Sequence, residues 1–122
     1  MARILAVDDS PAMRQMVSVT LRSAGHDVVE AFDGQEALDI AKQQPAVDLV
    51  ITDVNMPNMD GITLVRELRL LDHYRGVPLL VLTTEASVQK KQEGKAAGAT
   101  GWIVKPFNPE RLLATVARVI SP

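Results

Sequence analysis

The sequence contains no cysteine, so disulfides, thiolate metal sites and cysteine nucleophiles are excluded. That absence fits a reducing compartment, and a cytoplasmic location is expected. Its two histidines, His26 and His73, fit no ligand pattern and read as surface residues. Basic excess is also missing: the formal net charge of -2 gives no electrostatic reason to bind nucleic acid. No long apolar run occurs. The opening stretch from Met1 to Val7 runs straight into Asp8 and Asp9, too short for a signal peptide or a membrane span. Repeats, low-complexity tracts and linkers are absent too.

What is present suits one soluble domain over residues 1–122, with 47% hydrophobic and 23% charged residues. Short apolar runs at Ile4–Val7, Leu49–Ile51 and Leu79–Leu82 read as strands buried on both faces. Val28-Val29 and Ile103-Val104 are shorter and read as edge strands. Helical spacing fills the intervals. The first helix opens with Ser10 as N-cap and Pro11 at its first position, places Met13, Met16, Val17, Leu21 and Ala24 on one face, and stops at Gly25. Met13 and Met16 are thereby read as core filler. Further helices are expected near 34–44, 62–71 and 87–97, with a last one from Pro109. The helix near 87–97 is polar and contains Gly94, so it is expected to be the least stable. Five strands alternating with five helices imply an α/β fold, a single doubly wound parallel sheet with helices on both faces.

The distinctive polar residues fall at strand ends: Asp8 and Asp9 after the first, Asp53 at the third, Thr83 at the fourth and Lys105 at the fifth. In an open parallel sheet those carboxyl ends form the ligand crevice. Singly, each has a plain explanation: an acidic pair at a helix entry, a strand threonine, a solvated lysine. Their convergence argues for a site. Three carboxylates near one point repel by about 4 kcal/mol per pair at about 4 Å and an effective dielectric near 20. Such a cluster calls for a cation, and all-oxygen ligands favour Mg2+, with Mn2+ also suited. A carboxylate beside the metal can attack phosphorus to form an acyl phosphate; Lys105 would offset the added charge, and the Thr83 hydroxyl could donate to a phosphoryl oxygen.

The motifs Val7-Asp8-Asp9-Ser10, Asp53-Val54-Asn55-Met56-Pro57 with Asp60-Gly61, Thr83-Thr84-Glu85 and Lys105-Pro106-Phe107 together resemble the receiver domains of bacterial two-component response regulators, over the whole length. The CheY-type chemotaxis regulators are the nearest in kind. The resemblance implies a flavodoxin-like sheet of order 2-1-3-4-5, which sets Asp8, Asp9 and Asp53 side by side. It implies phosphorylation of Asp53 by a histidine kinase and a metal held by Asp8 or Asp9, Asp53 and the backbone carbonyl of Asn55. It also implies a cis Lys105-Pro106 bond, and a switch in which Thr83 shifts and the Trp102 indole swings from solvent into the slot vacated. Glu85, Lys91, Lys95, Trp102 and Val104 would lie on the switch and partner face. Asn55 and Glu85 match positions that tune phosphoryl lifetime in CheY-type proteins.

With Pro122 directly after the last helix, no DNA-binding output domain is expected, and output is read as a protein contact made by a monomer. The implied partners are the flagellar motor switch, a phosphatase, or none beyond the kinase if the protein only drains phosphate. A phosphorelay role, passing phosphate to a histidine phosphotransfer protein, is the alternative. The fourth helix departs from motor-binding relatives by offering Lys90, Lys91 and Lys95 and little apolar surface beyond Val88. Two other chemistries are disfavoured. A phosphatase of the haloacid dehalogenase kind needs an acid where Asn55 stands, so no turnover of external substrates is expected. A flavin phosphate would be repelled by Asp8 and Asp9.

Overall fold

The computed structural model describes residues 2–120; readings that rest on Met1 or Pro122 lie outside the described residues. The apolar runs form β1 (Arg3–Val7), β2 (Asp27–Ala31), β3 (Leu49–Thr52), β4 (Leu79–Thr83) and β5 (Gly101–Val104). Between and after them lie α1 (Pro11–Ser23), α2 (Gly34–Gln43), α3 (Gly61–Arg69), α4 (Val88–Ala97) and α5 (Pro109–Ile120), with one 3-10 turn at Asp72–Tyr74. All neighbouring strands pair in parallel, in the order β2-β1-β3-β4-β5. The expected sheet is the observed one.

Alternation along each strand divides the core in two. Leu5, Val7, Val50, Leu79 and Val81 face α2 and α3, where Ala37, Leu38, Leu64, Val65 and Leu68 close the layer. Ile4, Ala6, Leu49, Ile51, Leu80 and Leu82 face the other way, onto Val17 and Leu21 of α1 and Leu112 and Val116 of α5. Because both strand faces are covered, the central strands carry almost no polar residue, and this is why they read as continuous apolar runs.

Helix starts follow local hydrogen-bond demand. Ser10, Asp33, Asp60 and Ser87 each accept from the backbone N–H three residues on, at 3.3, 2.8, 2.8 and 3.1 Å. Gly25 and Gly98 take positive φ, 89° and 114°, after α1 and α4, where a side chain would strain the turn.

The buried face of helix α1 differs from the expected one. Val17 and Leu21 are buried, but Met16 is 55% exposed and Ala24 is an exposed C-cap; Met13 is half-buried. Met16 lies about 100° around the helix from Val17, on the side turned away from Leu21 and toward solvent. Neither methionine is in the core.

The polar helix α4 buries only Gly94 and Ala97. At Gly94 an added Cβ would lie 2.6 Å from Cζ3 of Trp102, so the missing side chain is what lets the indole of β5 rest against the helix. The C-terminal end of α4 is tied to α3 by Arg69. Its guanidinium donates to the carbonyls of Gly98 (2.9 and 3.1 Å), Tyr74 (2.7 Å) and Val77 (2.7 Å). Tyr74 is fully buried, and the Val47 N–H donates to its hydroxyl at 3.4 Å.

Two measurements check this packing. Burial raises the pKa of the Tyr74 phenol, against smaller lowering effects from the Val47 hydrogen bond and the Arg3 charge. A phenol whose folded pKa is raised adds stability that is present below the unfolded value of about 10 and lost as pH climbs through the folded one. As the sole tyrosine, Tyr74 should show its phenolate absorbance only above the range of a free tyrosine, in step with alkaline unfolding. Gly94→Ala should lose the gain of about 1 kcal/mol that glycine-to-alanine gives an unobstructed helix. It should also red-shift Trp102 emission, because the displaced ring moves toward water; an unchanged spectrum would contradict the contact.

Candidate functional site

Sheet register alone brings the acids together. Val7 pairs with Thr52, so the residues that follow, Asp8 and Asp53, leave adjacent strands at the same level. The Asp53 N–H donates to the Val7 carbonyl at 3.0 Å, and the Asp8 N–H to that of Ala31 at 3.1 Å. Strand order reverses here, β2 lying on one side of β1 and β3 on the other, and this opens a crevice at the carboxyl edge. At the far side Thr83 pairs with Val104, and the Lys105 N–H donates to the Thr83 carbonyl at 2.8 Å. Lys105 thereby turns back across the edge toward the acids.

The lysine reaches them. Its Nζ donates to Oδ2 of Asp8 at 2.8 Å and to Oδ2 of Asp53 at 3.1 Å. All three side chains are sheltered, at 7%, 7% and 12% exposure for Lys105, Asp8 and Asp53. Burial alone lowers the ammonium pKa, but the Asp8 hydrogen bond and the charges of Asp53 and Asp8 outweigh it, and the net direction is up. Lys105 is therefore a fixed cation at neutral pH. Asp8 also accepts from the Ser10 N–H at 2.9 Å through Oδ1, and Asp53 accepts from the Val54 N–H at 2.6 Å through its own Oδ1.

Asp9 completes a group of three. One carboxylate oxygen each of Asp8, Asp9 and Asp53 lies within 4.8 Å of the others. Opposite oxygens of an octahedral magnesium site are about 4.2 Å apart, twice the Mg–O distance, so these residues fit such an ion with small side-chain adjustment. A donor set made of oxygen alone agrees with that choice over zinc. Asp9 is exposed, which leaves the site open on the side from which a ligand would come.

The remaining expected residues divide into two groups. Asn55 lies exposed in the 53–60 segment between β3 and α3, next to the acids in sequence. Gly61, at the end of that segment, is indispensable to its path: an added Cβ would lie 1.8 Å from the Asp53 carbonyl oxygen. Thr83, Glu85 and Trp102 form a connected chain. The Glu85 N–H donates to the Thr83 hydroxyl at 3.2 Å, and the Trp102 indole N–H donates to the Glu85 carbonyl at 2.9 Å. Trp102 is half-buried, not standing in solvent as expected, because Gly94 makes room for its ring and Glu85 ties its polar end. Lys91, Lys95 and Trp102 line one groove of ≈ 280 Å³ with Ala99, Thr100 and Gly101. Val104, 38% exposed, lines a separate pocket that shares Trp102 with this groove. The Lys105-Pro106 bond is cis.

Some residues that shape the site escaped the sequence reading. Arg14 donates to the Asp8 carbonyl at 2.7 Å and pairs with Glu30 at 3.1 Å, bracing the first acid from α1. Asp33 is 2% exposed and receives the Asn58 side-chain amide at 2.6 Å. Asp33 followed by Glu36 is the spacing of a helix-start capping pair, a signal available in the sequence. Nothing local marks Arg14. His26 and His73 are not ligands here: His26 Nδ1 accepts from the Ala2 N–H at 3.1 Å, and His73 Nε2 contacts the Ala41 carbonyl at 2.8 Å.

Known proteins share this arrangement. A family model described as the response regulator receiver domain matches residues 4–117. The chemotaxis protein CheY homolog of Campylobacter jejuni is 40% identical over 120 residues, covering 98% of this chain and 92% of that protein. The transcriptional regulator RpaA of Synechocystis is 39% identical over 121 residues, but this chain spans only 49% of its length. Among solved structures, the chemotaxis protein CheY4 of Vibrio cholerae is 57% identical with a TM-score of 0.92, covering 98% of each chain. The receiver domain of the Pseudomonas aeruginosa histidine kinase PA1611, with a magnesium ion coordinated in its active-site cleft, is 30% identical with a TM-score of 0.91, covering 99% of this chain and 98% of that one. With sequence, fold and strand-end chemistry in agreement, the chain belongs to the response regulator receiver domain family, among its CheY-like members.

Proposed function

We propose that the chain is a magnesium-dependent phospho-acceptor switch of chemotaxis signalling, phosphorylated on Asp53 by a histidine kinase. The observation that carries this reading is the sheltered Lys105 ammonium held between Asp8 and Asp53 at 2.8 and 3.1 Å, with Asp9 within ligand range of both acids.

Asp8, Asp9, Asp53 and the Asn55 carbonyl would hold the ion, whether Mg2+ or Mn2+, which when bound screens charge on the transferring phosphoryl group. A carboxylate oxygen of Asp53 forms the new O–P bond while the P–N bond of the kinase phosphohistidine breaks and the imidazole leaves. Asp53 is already aligned by the Val54 N–H, so little reorganisation precedes attack. Lys105, freed from one carboxylate contact, then pairs with a phosphoryl oxygen. The Thr83 hydroxyl accepts from the Glu85 N–H and keeps its own proton available for a second phosphoryl oxygen.

Movement of Thr83 toward the phosphoryl group would pull on Glu85 and hence on Trp102. That chain leads from the acids to the groove lined by Lys91, Lys95 and Trp102, with Val104 in the pocket that shares Trp102, and this surface is the proposed output face. Its lysines suit an acidic partner surface. The CheY homologs that match nearly end to end support the chemotactic setting, with a flagellar motor switch, a phosphatase or the kinase alone as the protein's contacts. A cytoplasmic location is part of the proposal; among the described residues no helix is long and apolar enough to cross a membrane.

Acetyl phosphate with magnesium should label the wild-type protein, and Asp53→Asn should abolish labelling while leaving the fold intact, since one carboxylate repulsion is removed. Label retained in that variant would mean another nucleophile. Magnesium at about ten times its dissociation constant should stabilise the native state by about 1.4 kcal/mol, raising the melting temperature by about 5 °C. An unmoved melting temperature would argue against a metal among these acids.

A further inference from the structure

We infer that Asp33 and Asn58 together act as a positioning latch for the loop that carries Asn55, and so set the affinity of the acidic site for its divalent ion. The inference rests on the metal reading above and names residues outside the ligand set.

A backbone carbonyl ligand cannot be placed by its own side chain. Its position depends on the path of the whole 53–60 segment. Three ties fix that path. At the base, the Gly61 N–H donates to the Val54 carbonyl at 2.8 Å. At the tip, the Gly34 N–H donates to the Met59 carbonyl at 3.2 Å, an approach open only to glycine because an added Cβ would come within 2.4 Å of that oxygen. Beside it, the Asn58 side-chain amide donates to Oδ2 of Asp33 at 2.6 Å.

Two of the three ties therefore end on the start of α2, away from the acids. Asp33 is suited to the task. It is 2% exposed, and its other oxygen accepts from the Glu36 N–H at 2.8 Å, so helix and carboxylate orient each other. Asn58 has φ of 67°, a left-handed conformation that asparagine tolerates better than most residues. The Met59 N–H donates to the Pro57 carbonyl at 2.7 Å, which tightens the bend around it. Of the three ties, only the one between Asn58 and Asp33 joins side chains, so it can be removed without altering backbone partners.

Two substitutions cut the latch from opposite ends. Asn58→Gly keeps the left-handed backbone and loses the amide. Asp33→Ser keeps a helix cap and lacks the second oxygen. Calorimetric titration with magnesium chloride alone should show each variant binding about tenfold more weakly than wild type, the scale at which groups that orient metal ligands act. The double variant should bind no more weakly than either single one, since both remove one interaction. Melting temperatures without magnesium should stay within a few degrees of wild type. Wild-type affinity in both single variants, or losses that multiply in the double variant, would overturn the latch. A wild-type protein that takes up no magnesium would overturn it too, by removing the metal reading itself, and the two failures are told apart by the wild-type titration.

Discussion

One cation between two carboxylates organises this molecule. Lys105 follows β5, Asp8 follows β1 and Asp53 follows β3, and the lysine bonds both acids from across the sheet edge. Buried acids in contact would repel, and a lone buried ammonium would be costly; each makes the other tolerable. The arrangement is nonetheless incomplete. One ammonium cannot balance Asp8, Asp9 and Asp53, and the residual negative charge is what makes the crevice attractive to a divalent ion. The phosphoryl group proposed for Asp53 would alter that balance again, and would do so beside a lysine already bonded to both acids.

Much of this was legible in the sequence because of how parallel sheets are buried. Ile4–Val7, Leu49–Ile51 and Leu79–Leu82 stand out because helices cover both their faces, and a polar residue at the end of such a run marks the crevice edge. Asp8, Asp53 and Thr83 could be picked out for that reason, and Lys105 by its place at the end of the shorter edge run Ile103-Val104. Strand limits moved by a residue or so: β3 ends at Thr52, with Asp53 just beyond it, and β2 extends from Asp27 to Ala31 around its two valines.

The misses have physical causes as well. Met16 falls within the apolar spacing of α1, yet the helix turns it outward, because Val17 and Leu21 already fill the face toward the sheet. The half-buried state of Trp102 depends on Gly94 eight residues away in another element, and no local pattern encodes that pairing. Gly94 looked like a weak point of α4 and is a seat for the indole. Arg69 and the Asp33–Asn58 pair act through contacts between distant segments, which only the folded chain brings together, and Arg14 reaches Glu30 across from α1 to β2.

Arg69 has a consequence for how α4 can respond. The helix contributes little apolar burial, only Gly94 and Ala97, while its far end is riveted to α3 through the Gly98 carbonyl. Val88, at the opposite end, is 70% exposed. A rod fixed at one end and loosely seated along its length behaves as a lever with its fulcrum at Gly98, so a small displacement near Glu85 produces its largest travel at the entrance of the helix. The sparse packing that makes α4 a poor contributor to the core is what leaves it free to be tilted.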